Sequence, residues 1–128
     1  MKKILVLLLL IVSTSVFAEW ANVDDNDEMT TYVDFGTIKK KGNKVKMWHL
    51  TDFKTVQKVG NDRFLSMLSR EEYDCEEETI RMLDLHGYSG NMRNGDRVFS
   101  APNIKDEPES ISPGGVNKTL FEIACSNK

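Results

Sequence analysis

Few side chains in this 128-residue sequence have the type and spacing for covalent or acid–base chemistry: two cysteines, Cys75 and Cys125, and two histidines, His49 and His86. A thiol beside an imidazole is an activated nucleophile, so Cys75 with His86 or His49 is one arrangement to consider. His86-Gly87-Tyr88-Ser89-Gly90 comes near the turn that presents a serine nucleophile. That turn needs one residue between the serine and the second glycine, and here Gly90 follows Ser89 directly. Zinc asks for three or four good ligands, which two histidines and two oxidisable thiols do not supply. The acidic run Asp24, Asp25, Asn26, Asp27, Glu28 starts like a calcium loop, but Met29 and Phe35 stand where glycine and glutamate are required. The chemistry-bearing residues therefore point away from an enzyme, with no metal and no cofactor expected. A small thiol or serine hydrolase is the weaker alternative, and its thiol version depends on Cys75 staying reduced.

Whether it stays reduced depends on where the chain goes. Met1 to Ala18 has the layout of a secretory signal peptide: Lys2 and Lys3, an apolar run from Ile4 to Val12, and the small-residue site Val16-Phe17-Ala18. Cleavage there leaves Glu19 to Lys128, 110 residues, enough for one domain with one core. No cysteine follows the apolar run to take a lipid, and no later stretch is apolar over the length a membrane span needs. The expected address is thus the periplasm, the cell surface or the medium, without a lipid anchor. Export together with an even cysteine count makes a Cys75–Cys125 disulfide the expected state, two free thiols being the competing reading. Without Lys2 and Lys3 the chain carries 15 basic against 20 acidic residues, a net charge of −5. A nucleic-acid partner is disfavoured, because phosphate binding draws on a net basic surface.

The elements that must position these residues are strands. Glu19 to Met29 reads as a solvated acidic turn. Thr30 to Ile38 has strand composition, with Val33 and Phe35 alternating against Tyr32 and Asp34. The run Lys39-Lys40-Lys41-Gly42-Asn43-Lys44 is a turn leading into a second strand, Val45 to Phe53, and its lysines read as a solvated hairpin tip more readily than as a patch for an acidic partner. After the turn Gly60-Asn61-Asp62, Arg63 to Cys75 forms a third strand, in which Leu65, Met67, Tyr73 and Cys75 share one parity and mark the covered face. Glu76 to Glu78 turns the chain into a fourth strand, Thr79 to Tyr88. Gly90 to Gly95 turns it again into Asp96 to Ala101. A helix over 71–85 is the competing reading of the Glu-rich composition. Pro102 to Gly115 holds all three prolines and should be an extended connection. Val116, Leu120, Phe121, Ala124 and Cys125 then fall on one stripe at helical spacing, which brings Cys125 to the covered side of the sheet. Asn117-Lys118-Thr119 matches a glycosylation acceptor, informative only in an organism that glycosylates.

Trp20, Tyr32-Val33-Asp34, Val45-x-Met47-Trp48-x-Leu50 with Asp52-Phe53, Ser69 with Tyr73-Asp74-Cys75, Arg81, Tyr88-Ser89, Met92 with Gly95, Ile111-x-Pro113-Gly114 and Cys125, in that order, resemble the bacterial surface-adhesin protein E family. The resemblance covers nearly the whole chain after Ala18. It implies an α+β fold: a single antiparallel β-sheet of about six strands, with a C-terminal helix on one face tied by a disulfide. It also implies a cell-envelope protein that binds host matrix or plasma proteins, or a second copy of itself as a homodimer. The sequence departs from the family at Glu109-Ser110-Ile111, where a tryptophan is expected, and in lacking the cysteine for a lipid anchor. A soluble periplasmic housekeeping protein is the alternative role. Because both strand parities carry apolar residues and one helix covers one face, the opposite face, with Trp48, Leu50 and Tyr88, is the expected binding surface.

Overall fold

Strand-forming residues dominate from Trp20 to Ala101, and in the computed structural model, which describes residues 19–126, they pair into one antiparallel sheet. The expected signal peptide lies outside the described residues. The strands are β1 (Trp20–Asp25), β2 (Met29–Asp34), β3 (Lys39–Lys41), β4 (Lys44–Val59), β5 (Asp62–Asp74), β6 (Thr79–Tyr88), β7 (Arg97–Ala101) and β8 (Glu109–Ser110), followed by the helix α1 (Gly115–Ser126). Their spatial order is β1-β2-β4-β5-β6-β7, with β3 pairing β4 and β8 pairing β6. The stretch 71–85 is strand, turn and strand, not helix.

Two differences from the sequence reading lie at the start of the chain. The acidic run is only half a turn: Asp24 and Asp25 end strand β1, while the Asn26 side chain accepts from the Glu28 and Met29 amides and closes the turn locally. The strand read as Thr30 to Ile38 breaks at a 3-10 turn, Phe35–Thr37, so that β2 and β3 pair with successive parts of β4. Asp34 causes the break by accepting from the Gly36 amide (3.0 Å) and, through its carbonyl, from the Thr37 hydroxyl (2.7 Å). Phe35, expected to alternate inward with Val33, is instead 48% exposed.

Residues directly opposite in an antiparallel ladder point to the same side, so the register sorts the side chains into two faces. One face carries Val33, Val45, Met47, Tyr73 and Ile80, and on it lie Leu120, Phe121 and Ala124 of α1. Burying each large apolar side chain there contributes ~1.5–3 kcal/mol. Cys75 and Cys125 close the helix onto this face as a disulfide, with Cα atoms 5.6 Å apart. Fifty positions separate the two cysteines in sequence.

A helix of twelve residues spans ~18 Å and cannot cover sixteen-residue β4 from end to end. Beyond its reach the opposite parity takes over: Phe64, Ser66 and Leu68 are buried while Leu65 and Met67 are only half-buried, so the parity expected to mark the covered side of β5 does so only near Tyr73. Phe99 leans over Gly87, where a Cβ would clash with its ring, and meets Phe64 edge-on at 5.1 Å.

Candidate functional site

The face turned away from α1 is built in rungs across the sheet. Register places Lys39, Lys46, Glu72 and Arg81 on one rung, Trp48, Arg70 and Asp84 on the next, then Leu50, Leu68 and His86, then Asp52, Ser66 and Tyr88. Trp48, Leu50 and Tyr88, the expected binding residues, do share this face. The structure nevertheless removes two of them from contact, since Leu50 is fully buried and Tyr88 is 9% exposed.

Against Tyr88 lies a strap between β6 and β7 that the sequence presented as a simple turn. Asp52 accepts from the Asn91 side chain (3.0 Å) and the Met92 amide (2.8 Å). Ser66 donates to the Gly90 carbonyl (2.7 Å) and accepts from the Arg93 amide (2.9 Å). Arg93 and Arg97 lie 6.0 and 5.7 Å from the Tyr88 ring centroid, a cation–π geometry. Tyr88 thus anchors the strap and is not free to receive a partner.

Trp48 stays half-buried at the uncovered end of the face. Its ring is nearly parallel to that of His86, with centroids 6.2 Å apart, although the two stand two strands apart; they lean together over β5. The Arg70 guanidinium lies 5.7 Å from the indole centroid, and its Nε donates to Asp84 at 2.6 Å. Burial works against ionising Asp84, but the Asn103 amide and Arg70 outweigh it and hold its pKa below the usual carboxylate range. Burial first, and the Arg97 charge second, lower the pKa of His86, whose Nδ1 lies 2.8 Å from the Ser100 hydroxyl.

Next to Trp48 opens a groove of about 640 Å³, lined by Gly36, Thr37, Lys39, Lys40, Lys41, Lys44, Lys46, Trp48, Arg70 and Glu72. It holds six cationic side chains against one carboxylate, and Glu72 is already bound to Arg81 at 2.8 Å. None of the five lysines makes a salt bridge among the described residues. The lysine run, expected as a solvated tip, is therefore one wall of a cavity. The missing signal was partly long-range: Trp48 shares the parity of Lys44 and Lys46 along β4, but Arg70 joins them only once β4 and β5 pair in this register.

A second, smaller hollow of about 480 Å³ adjoins it through Gly36 and is lined by Glu19, Trp20, Ala21, Asp34 and Phe35. Phe35 is presented there on the braced turn, since the Thr37 hydroxyl that binds the Asp34 carbonyl also accepts from the Trp48 amide at 3.1 Å.

The residues considered for catalysis are placed elsewhere. Cys75 and Cys125 are joined, so neither offers a thiol to His86 or His49. Ser89 Oγ accepts from the Asp96 amide at 2.9 Å, across the strap. His86 does meet a serine hydroxyl, that of Ser100, while Asp84 is held by Arg70 and Asn103. Among the described residues no cluster of three or more His, Cys, Asp or Glu is arranged to hold a metal, and no helix is long and apolar enough to cross a membrane.

A helix is clasped by a disulfide over one face of an antiparallel sheet, and a braced aromatic turn stands beside a basic groove on the other side. The sequence model of surface-adhesin protein E matches residues 20–126, and the chain belongs to that family. Crystal structures of Haemophilus influenzae protein E share the fold. The selenomethionine form is 16% identical with a TM-score of 0.65, covering 89% of this chain and 91% of that one. Crystal form II is 16% identical with a TM-score of 0.63 over 89% and 92%. Protein E from the non-typeable organism is 15% identical with a TM-score of 0.55 over 89% and 80%. No curated protein sequence matches.

Proposed function

We propose that the protein is an exported, non-catalytic module of the cell envelope that binds a protein partner through the Trp20–Phe35 edge of its sheet. One observation carries the reading: a phenylalanine 48% exposed on a turn fixed by its own hydrogen bonds, beside a hollow that can receive an apolar side chain. Aromatic anchors held rigid before binding lose little entropy on contact and supply most of the energy of an interface. Membership of an adhesin family favours a host protein as the partner. A second copy of the chain is the other occupant of this surface, because β1 is an edge strand whose outer side is unpaired among the described residues.

The test uses the chain from Glu19 onward, which carries every element of the described residues. It is immobilised and exposed to solubilised matrix proteins and to plasma, and each captured protein is then purified and titrated directly. Phe35→Ser should weaken the titrated affinity at least about tenfold and leave the melting temperature unchanged, since the side chain sits outside the core. Sedimentation velocity separates the two occupants, a concentration-dependent dimer that Phe35→Ser dissolves pointing to the second copy. Equal affinity of the variant for every partner and an unchanged oligomeric state would sink the reading. Fractionation of cells checks the address.

A further inference from the structure

The lysine groove beside Trp48 is not needed for protein capture at Phe35, and its charge arrangement costs stability. Lys39 stands directly opposite Lys46, and Lys41 directly opposite Lys44. Like charges facing one another across a ladder are destabilising. On the far side of β4, Lys46 faces Glu72 and Lys44 faces Asp74, yet neither pair closes to a salt bridge and Glu72 turns to Arg81. Five uncompensated ammoniums on a chain of net negative charge are thus concentrated in one open cavity.

We propose that this groove binds a sulfated polysaccharide. The four lysines that share a face form a small lattice. Alternate residues along a strand are about 6.6–6.8 Å apart, and paired strands about 4.8 Å. A compact anion such as a single phosphate would meet one side of that lattice and leave the rest repelling. An extended polymer bearing a negative group on successive sugars matches all of it.

The kind of cation does not choose among oxyanions, since an ammonium is a point charge that attracts sulfate, phosphate and carboxylate alike. The groove's one guanidinium is engaged by Asp84 through Nε, so the array of ammoniums is what it offers, and their spacing along two strands selects an extended polyanion. Trp48 adds an apolar floor against which the C–H side of a sugar ring can lie, and the volume falls within the range of small-ligand sites. A run of five lysines in eight residues, Lys39 to Lys46, has the density of heparin and nucleic-acid patches, and an exported protein meets the former.

Heparin hexasaccharide is the probe, titrated calorimetrically into the chain from Glu19 at several salt concentrations. Binding should weaken steeply with salt, with a log–log slope set by the number of lysines engaged. Replacing Lys39, Lys41, Lys44 and Lys46 together by Gln should lower the affinity about a hundredfold and flatten the slope. It should also hold or raise the melting temperature, because the facing charges are gone. Trp48→Ala should weaken binding about fivefold with the slope unchanged, which separates ring contact from charge. Phe35→Ser should have no effect on heparin, so loss of the protein-binding reading would leave this one standing, and the reverse. The proposal is overturned if heparin does not bind. It is equally overturned if fully desulfated heparin, polyglutamate or vesicles of anionic lipid bind as tightly, since the groove would then be an unselective basic surface.

Discussion

Replacing Cys75 by Ser and Cys125 by Ala should remove about 4 kcal/mol of stability, the entropy that closing a loop of this length takes from the unfolded chain. For a domain near this size the melting temperature should fall by roughly 15–25 °C. The size of the effect follows from what the disulfide holds. Twelve helical residues are too few to form a stable helix in water without tertiary support, so α1 depends on Leu120, Phe121 and Ala124 reaching the sheet. Breaking the clasp leaves that docking to hydrophobic contact alone. Leu120→Ala in the oxidised protein should cost ~2–5 kcal/mol, and combined with the cysteine replacements the total should differ from the sum, because both changes act on one contact. Thermal unfolding of the four proteins measures this directly. A double-cysteine variant within about 1 kcal/mol of the parent would mean that the helix is held by packing and the disulfide is incidental.

The clasp could be read from the sequence because its logic is local on both sides: a stripe with period 3.6 ending in Cys125, and an exported chain with one other cysteine. Strands β5 and β6 were legible for a similar reason, as Gly60-Asn61 and Glu76 to Glu78 punctuate runs that alternate between faces. Strand β1 was hidden because Asp24 and Asp25 carry no strand preference, and their pairing with Thr31 and Thr30 is decided by a partner strand. Phe35 was misplaced because alternation was carried one residue past Asp34, whose side chain ends the strand by capping the next turn.

The open face failed for a longer-range reason. Leu50 and Tyr88 have the composition of an exposed binding patch, yet Leu50 is fully buried, and Asp52 and Ser66, paired across the consecutive strands β4 and β5, tie down the 90–93 strap whose Arg93 lies against the Tyr88 ring. Polar residues in mid-strand signalled that strap, but their partners lie more than twenty residues away. The basic groove has the same origin, since no window of sequence contains both the lysines and Arg70.

The Glu71–His49 pair should leave stability nearly independent of pH between about 4.5 and 6.5, the lowered His86 adding only a rise with pH that is common to every variant of the pair. On the helix-covered face Glu71 and His49 are 6% and 7% exposed, with Glu71 Oε1 3.4 Å from His49 Nδ1 and accepting from the Tyr73 hydroxyl at 2.9 Å. Burial raises the Glu71 pKa from 4.5 to about 7, with the Tyr73 hydrogen bond opposing it, and burial lowers the His49 pKa from 6.5 to about 4. For Glu71 the folded value is the higher, so its favourable contribution is complete below pH 4.5 and is lost as the pH rises towards 7. For His49 the folded value is the lower, so its contribution is complete above pH 6.5 and is lost as the pH falls towards 4. Between those limits the unfolded pair holds one proton, on the imidazole. The folded pair also holds one, on Glu71, whose pKa burial has raised above that of His49. With equal proton counts in the two states the slopes cancel. Removing one partner should expose the other. Glu71→Gln, which keeps an acceptor for Tyr73, should make stability climb with pH by about 1.4 kcal/mol per unit across this window. His49→Gln should make it fall at a similar rate. Urea unfolding of the three proteins at pH 4.5, 5.5 and 6.5 reads the slopes. A parent that already slopes as steeply as either variant would mean that burial shifts only one of the two groups.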